Sequence, residues 1–132
     1  MKKLTIMRGL PGSGKTIKVK EIAKDGAIIC SADDFFVDAD GNYNYDKSYQ
    51  GDAHLWCEGK ARYYMSNNHP HVIIDNTNVK KEHMKRFLDL AKEFEYQVQI
   101  VVVKADVETC IHRNIHQVPE EVIRKMAVEW EE

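Results

Sequence analysis

The sequence lacks the features that would mark a membrane, disulfide-stapled or zinc-binding protein. No apolar run approaches the roughly 18 residues of a membrane-spanning helix, and the first three residues lead into a strand rather than a signal segment. Only three cysteines occur, Cys30, Cys57 and Cys110, and no C-x-x-C pair is present. We therefore expect no membrane association, reduced thiols and a cytoplasmic location.

A strong charge of one sign is also missing. The 19 Lys and Arg residues against 21 Asp and Glu residues give a formal net charge of −2, which argues against a broad surface that coats nucleic acid. It leaves open a site that grips the end of one strand. The 132 residues fit one compact domain and contain no repeat or low-complexity tract. Nothing in the sequence indicates a stable protein partner.

What the sequence does contain is a complete G-x-x-x-x-G-K-[ST] motif at residues 9–16, Gly-Leu-Pro-Gly-Ser-Gly-Lys-Thr. A strand-like run (4–7) precedes it and a helix-like segment follows it. We expect its glycines to adopt positive φ, so that backbone N–H groups surround a triphosphate, with Lys15 on the β- and γ-phosphates and Thr16 on Mg²⁺. The predicted ATP-binding residues are Gly9, Pro11, Gly12, Ser13, Gly14, Lys15 and Thr16.

Strands and helices alternate along the rest of the chain, which predicts an α/β fold with a parallel sheet covered on both faces. The predicted later strands are 27–30, 71–75 and 97–103, and the predicted later helices are 47–67, 80–94, 107–114 and 119–131. Spacing on the second and third helices predicts inward positions that include Trp56 and Leu88. We expect the tyrosines of the 38–46 loop to pack that loop, although they could also stack on a base.

Acidic residues follow two of the predicted strands, at the edge where α/β sheets bind ligands. Asp75 ends a buried strand as a magnesium-binding carboxylate would, or it caps a turn. Asp33 and Asp34 follow the second strand, where a carboxylate could accept the proton of an attacking hydroxyl. We favour Asp33, which lies nearer the strand end, over Asp34, and an N-cap is the alternative for both.

Two arginines are candidates for stabilising the transferred phosphate. Arg113 lies between the last two helices, where a short helical lid (about 106–119) could bring it over the phosphate, or it could be an ordinary surface residue. Arg8, just ahead of the glycine loop, could assist or could be solvated.

The motifs at 9–16, 31–34, 73–78 and 113–119 together resemble the kinase domain of phage-type polynucleotide 5′-hydroxyl kinases and related single-domain kinase-like proteins of the AAA group. The resemblance runs over essentially the whole chain. It implies a P-loop NTPase fold with four parallel strands in the order 2-3-1-4. It also implies Asp33 as general base, Lys15 and Thr16 as phosphate and Mg²⁺ ligands, and Arg113 as a lid arginine.

The chain departs from that family at three places. Phe35 and Phe36 follow the aspartates where an acceptor-binding arginine is expected, no second lid arginine occurs in 115–117, and the family's acid aligns with Asn76. We expect an ATP- and Mg²⁺-dependent kinase whose favoured acceptor is the 5′-hydroxyl of DNA or RNA. The alternatives are a small-molecule kinase with Phe35 and Phe36 in its acceptor site, or a nucleotide-dependent switch with weak ATPase activity.

Overall fold

The computed structural model describes residues 1–114 and 118–132. These residues form a four-stranded, wholly parallel sheet in the order β2-β3-β1-β4, which confirms the predicted fold. No helix in this part of the chain is long and apolar enough to cross a membrane. The strands are β1 Lys3–Arg8, β2 Ile28–Cys30, β3 His71–Asp75 and β4 Gln97–Val102. The helices are α1 Lys15–Ile22, α2 Gln50–Ser66, α3 Lys85–Phe94, α4 Val107–His112 and α5 Glu120–Glu129.

Alternation along the central strands divides the core between the two faces of the sheet. Leu4 and Ile6 of β1 point to one face, where they pack in the core that α2 and α3 cover. Met7 of β1 points to the opposite face and packs with Ile73 of β3 and Val19 of α1. Helices therefore cover both faces, and the carboxyl ends of β1, β2 and β3 meet at one edge of the sheet.

The buried stripes of α2 and α3 correct two predicted core positions. On α3 the inward residues are Phe87, Leu90 and Ala91, and Leu88 lies one position past Phe87 on the exposed side. On α2 the buried residues recur every fourth position from Ala53 to Met65. Trp56 lies beside that narrow stripe rather than in it, and it is exposed.

All three cysteines are buried free thiols, which agrees with the predicted absence of disulfides. Burial raises the pKa of Cys30 to about 12 and that of Cys57 to about 11. Both thiols therefore stay protonated and behave as small apolar core residues.

Arg8 ends β1 and is buried, which decides against its being a solvated residue. Its guanidinium donates hydrogen bonds of 2.8 Å to the carbonyl of Asn78, 2.9 Å to that of Val79 and 2.5 Å to that of Glu131. The guanidinium carbon also lies 4.6 Å from the centre of the Trp130 ring. Arg8 thus joins the end of β1 to the loop after β3 and to the segment that follows α5.

Replacing Arg8 by methionine should lower the free energy of unfolding by about 2–4 kcal/mol, because the buried carbonyls of Asn78 and Val79 and the partly buried carbonyl of Glu131 lose a charged donor. Urea denaturation measures the effect. Arg86→Met is the matched control, since that guanidinium is exposed and forms a surface ion pair with Glu58; we expect a change below about 1 kcal/mol. Equal losses in the two variants would show that the contacts of Arg8 add nothing to stability.

Candidate active site

The glycine loop between β1 and α1 is shaped by two different constraints on its glycines. Gly12 and Gly14 have φ of +83° and +96°, as expected for left-handed positions. Gly9 lies outside that region, so its predicted positive φ is wrong. It is required for space instead, because a Cβ there would lie 2.7 Å from Ser13 Oγ and 3.1 Å from the carbonyl oxygen of Val103.

Gly12 also brings the loop against α4. A Cβ at this position would lie only 2.0 Å from the carbonyl oxygen of Cys110, so only glycine allows the two backbones to approach this closely. The loop and the helix that leads to Arg113 are therefore in direct backbone contact.

The loop presents unsatisfied donors that fit a phosphate group. Helix α1 begins after Gly14 without a side-chain cap, which leaves its first N–H groups directed out of the helix end. The buried hydroxyl of Ser13 has no hydrogen-bond partner among the described residues. Buried polar groups are normally paired, so these donors fit the oxygens of a bound phosphate.

Lys15 and Asp75 meet beside this loop. Lys15 Nζ lies 2.5 Å from Asp75 Oδ1, and the two side chains are each 14% exposed. Thr16 follows Lys15 in the first turn of α1. A carboxylate and a hydroxyl suit Mg²⁺, which is usually held by one or two protein oxygens together with substrate phosphates. Within residues 1–114 and 118–132, no cluster of three or more His, Cys, Asp or Glu could hold a metal alone.

Asn76 joins the ends of β2 and β3. Its buried side chain accepts a 2.9 Å hydrogen bond at Oδ1 from the backbone N–H of Ala32. Its Nδ2 lies 3.6 Å from Cys57 Sγ. The residue aligned with the family's acid is thus a structural bridge, while Asp75 contacts the loop lysine. No motif in the sequence predicts this role of Asn76, and its one signal is the position of Asn76 directly after Asp75.

Asp33 lies in the turn that Asn76 holds. This 3₁₀ turn spans Ala32–Phe36. Its N-cap is Ser31, whose Oγ accepts a 3.3 Å hydrogen bond from the N–H of Asp33. The carboxylate of Asp33 is exposed, and its Oδ1 accepts a 3.4 Å hydrogen bond from the Tyr43 hydroxyl. Asp34, the alternative base, is exposed on the same turn.

Two neighbouring rings have shifted pKa values. Partial burial of the phenol and the charge of Asp33 raise the pKa of Tyr43 to about 12, so Tyr43 remains a hydrogen-bond donor at neutral pH. Burial, and secondarily the charge of His83, lowers the pKa of His54, while Asp33 acts in the opposite direction.

Arg113 directly follows α4 and is exposed, and it forms no ion pair within the described part of the chain. The side chain of Asn114 pairs with the backbone of Val118: Nδ2 donates to the carbonyl of Val118, and Oδ1 accepts from the Val118 N–H at 3.1 Å. Residues 115–117 of the predicted lid, where the second lid arginine is missing, lie outside the described residues.

Comparison with known proteins identifies the family. The chain matches the AAA domain family over residues 4–129. It belongs to this family. This AAA domain is 34% identical over 129 residues to NEDD4-binding protein 2 of Homo sapiens, an alignment that covers 93% of this chain. The AAA domain spans only 7% of the length of that relative.

Solved structures show that this AAA domain has the fold of P-loop kinases. A chain of the Pnkp1/Rnl/Hen1 RNA repair complex matches with a TM-score of 0.78 at 23% identity, over 97% of this chain and 43% of that chain. Chaetomium thermophilum Kti12 in complex with ADP-AlF3 matches with a TM-score of 0.70 at 17% identity, over 98% of this chain and 80% of that chain. At these identities the likeness concerns the fold alone.

Gly12→Ala should lower nucleotide affinity at least about 100-fold, because the new methyl group would force the loop away from the Cys110 carbonyl. Titration with a fluorescent ATP analogue measures this. Gly26→Ala is the control: its φ of +84° is equally strained, but no atom lies within 4 Å of the added Cβ. A similar loss of affinity in both variants would show that the contact with α4 does not matter.

Proposed function

We propose that this protein is an ATP- and Mg²⁺-dependent kinase that transfers the γ-phosphate to the 5′-hydroxyl of DNA or RNA. The observation that carries the proposal is the hydrogen bond between Ala32 and Asn76. It joins the residue before Asp33 to the residue after Asp75, so the carboxylate of Asp33 is held at the end of the strand that neighbours β3, which carries Asp75 in contact with Lys15 of the glycine loop. A nucleotide switch needs the loop and the metal ligand, but it does not need this second carboxylate.

The phosphate donor, ATP, would be bound by the glycine loop, which follows β1, and by Asp75 at the end of β3. Backbone N–H groups of residues 9–16 and the Lys15 ammonium would hold the β- and γ-phosphates. Thr16 and Asp75 would hold Mg²⁺, and the ion when bound neutralises charge on the phosphate oxygens. The ammonium of Lys15 would then leave Asp75 and contact phosphate oxygens instead. Asp75 would contact Mg²⁺.

The transfer step itself requires a base and a cation. Asp33 would accept the proton of the 5′-hydroxyl while the hydroxyl oxygen forms a bond to the γ-phosphorus. The bond from that phosphorus to the oxygen bridging the β- and γ-phosphates breaks, and ADP leaves. Arg113, at the end of the helix that contacts Gly12, would stabilise the charge on the transferred group.

Two lines of support favour a nucleic acid as the acceptor over a small alcohol. The fold is shared with a chain of an RNA repair complex. In addition, Asp33 is exposed at an open surface rather than enclosed in a compact pocket, which leaves room for a polymer end.

Asp33→Ala should reduce phosphoryl transfer at least about 100-fold and leave ATP affinity nearly unchanged, because the carboxylate acts on the acceptor and not on the donor. Single-turnover transfer and ATP titration measure the two quantities. Asp34→Ala, on the same turn, is the matched comparison. If transfer survives in Asp33→Ala and is lost in Asp34→Ala, the base is Asp34.

The acceptor class is tested by incubating the protein with γ-labelled ATP and Mg²⁺ and, in separate reactions, with a 5′-hydroxyl DNA oligonucleotide, a 5′-hydroxyl RNA oligonucleotide or a panel of small alcohols. Labelled oligonucleotide is the expected result, and Lys15→Ala should abolish it. Label on a small alcohol alone would establish a small-molecule kinase. Free phosphate alone would contradict a kinase and leave a slow ATPase.

A further inference from the structure

Four exposed aromatic side chains cluster at the turn that carries Asp33. We call them the aromatic platform: Phe35, Tyr43, Tyr45 and Trp56, which are 36%, 37%, 52% and 40% exposed. They come from three separate parts of the chain, namely the turn that carries Asp33, the following loop and helix α2. The fold therefore gathers them at one place.

The rings of the platform form two contacting pairs, and each pair includes a ring that packs against Phe36. The ring centre of Phe35 lies 6.1 Å from that of Trp56, and the centres of Tyr43 and Tyr45 lie 6.5 Å apart with nearly parallel planes, 15° from one another. The buried ring of Phe36 packs against three of the four rings. Its centre lies 5.3 Å from the ring centre of Phe35, 6.2 Å from that of Tyr43 and 5.0 Å from that of Tyr45.

Packing of the loop explains only part of this arrangement. The contacts with Phe36 hold the tyrosines in place, as the sequence predicted, yet every ring of the platform keeps more than a third of its surface in water. Exposed aromatic rings that cluster in this way commonly mark a binding surface. Aromatic faces bind nucleobases by stacking, and they do so with little dependence on sequence.

The position of the platform relative to Asp33 identifies what would bind there. The Tyr43 hydroxyl donates a hydrogen bond to Asp33, so one ring of the platform directly adjoins the carboxylate that would take the acceptor's proton. In a nucleoside, one ribose separates the 5′-oxygen from the base. A 5′-hydroxyl at Asp33 therefore brings its own base to the adjoining rings.

We propose that the aromatic platform binds the 5′-terminal nucleobase of the acceptor by stacking, with Phe35 and Trp56 as its principal residues. This inference rests on the proposed function and names the part of the acceptor that the site recognises. Stacking on the terminal base makes the base, rather than a phosphate further along the strand, a determinant of acceptor affinity.

The test compares two probes, a 3′-fluorescein-labelled 5′-hydroxyl hexadeoxynucleotide and the same strand with an abasic 5′-terminal residue. Fluorescence anisotropy gives the dissociation constant of each. For the unaltered protein we expect the abasic strand to bind at least about 5-fold more weakly, which corresponds to the weaker end of base–aromatic stacking. Phe35→Leu and Trp56→Leu should each weaken binding of the complete strand and leave binding of the abasic strand unchanged.

Tyr63→Leu is the matched control, because Tyr63 is a 63% exposed ring on the same helix as Trp56 and lies outside the platform. We expect no change in either dissociation constant. Phe35→Tyr, which keeps the ring, should retain the preference for the complete strand. Circular dichroism identifies any variant that fails to fold, and the comparison of the two strands with the unaltered protein does not depend on a variant.

Equal dissociation constants of the two strands for the unaltered protein would contradict base stacking on the platform. An equal loss of affinity for the complete strand in Tyr63→Leu and Trp56→Leu would contradict it as well. Transfer from γ-labelled ATP to the same strands tests the proposed function separately. Discrimination between the strands without transfer would contradict the kinase and keep the platform. Transfer without discrimination would keep the kinase and contradict the platform.

Discussion

The arrangement of the site depends on the hydrogen bond that the backbone of Ala32 donates to the side chain of Asn76. A five-residue 3₁₀ turn at a protein surface has little internal stability. The buried amide of Asn76 fastens its first residue to the end of β3, and a buried polar group that lost its partner would be costly. The separation between Asp33 and the Lys15–Asp75 pair is therefore set by the pairing of β2 with β3 rather than by the turn.

The end of β1 is the second point at which separate parts of the chain meet. Arg8 connects it to the loop after β3 and to the segment after α5. The glycine loop that follows contacts α4 through the close approach of Gly12 and Cys110. The glycine loop, the end of β3 and the helix leading to Arg113 thus form one connected body. A change in the loop's conformation would be transmitted to α4 by direct contact of backbones.

The sequence predicted what depends on local pattern. Alternating strands and helices predicted the parallel sheet, and the family resemblance implied its strand order. The position of Asp75 at the end of a buried strand predicted a carboxylate beside the glycine loop. The pattern did not predict the exposure of Trp56, because coverage of a ring beside a narrow helical stripe depends on how the turn that carries Phe35 packs against α2. The role of Gly9 could not be predicted either, since its constraint comes from Ser13 Oγ and from the carbonyl of Val103, which directly follows β4. Tertiary contacts decided each miss.

Asp33 and Phe35 belong to the same short turn, whereas Tyr45 and Trp56 belong to other elements. Under the proposed function, a substitution that reshapes the turn to admit a different acceptor also displaces the carboxylate, so the two properties cannot vary independently there. Trp56 belongs to α2, so a substitution at this position leaves the residues of the turn unchanged. Divergence of acceptor preference among descendants of this chain would therefore be recorded first at position 56, beside an unaltered turn.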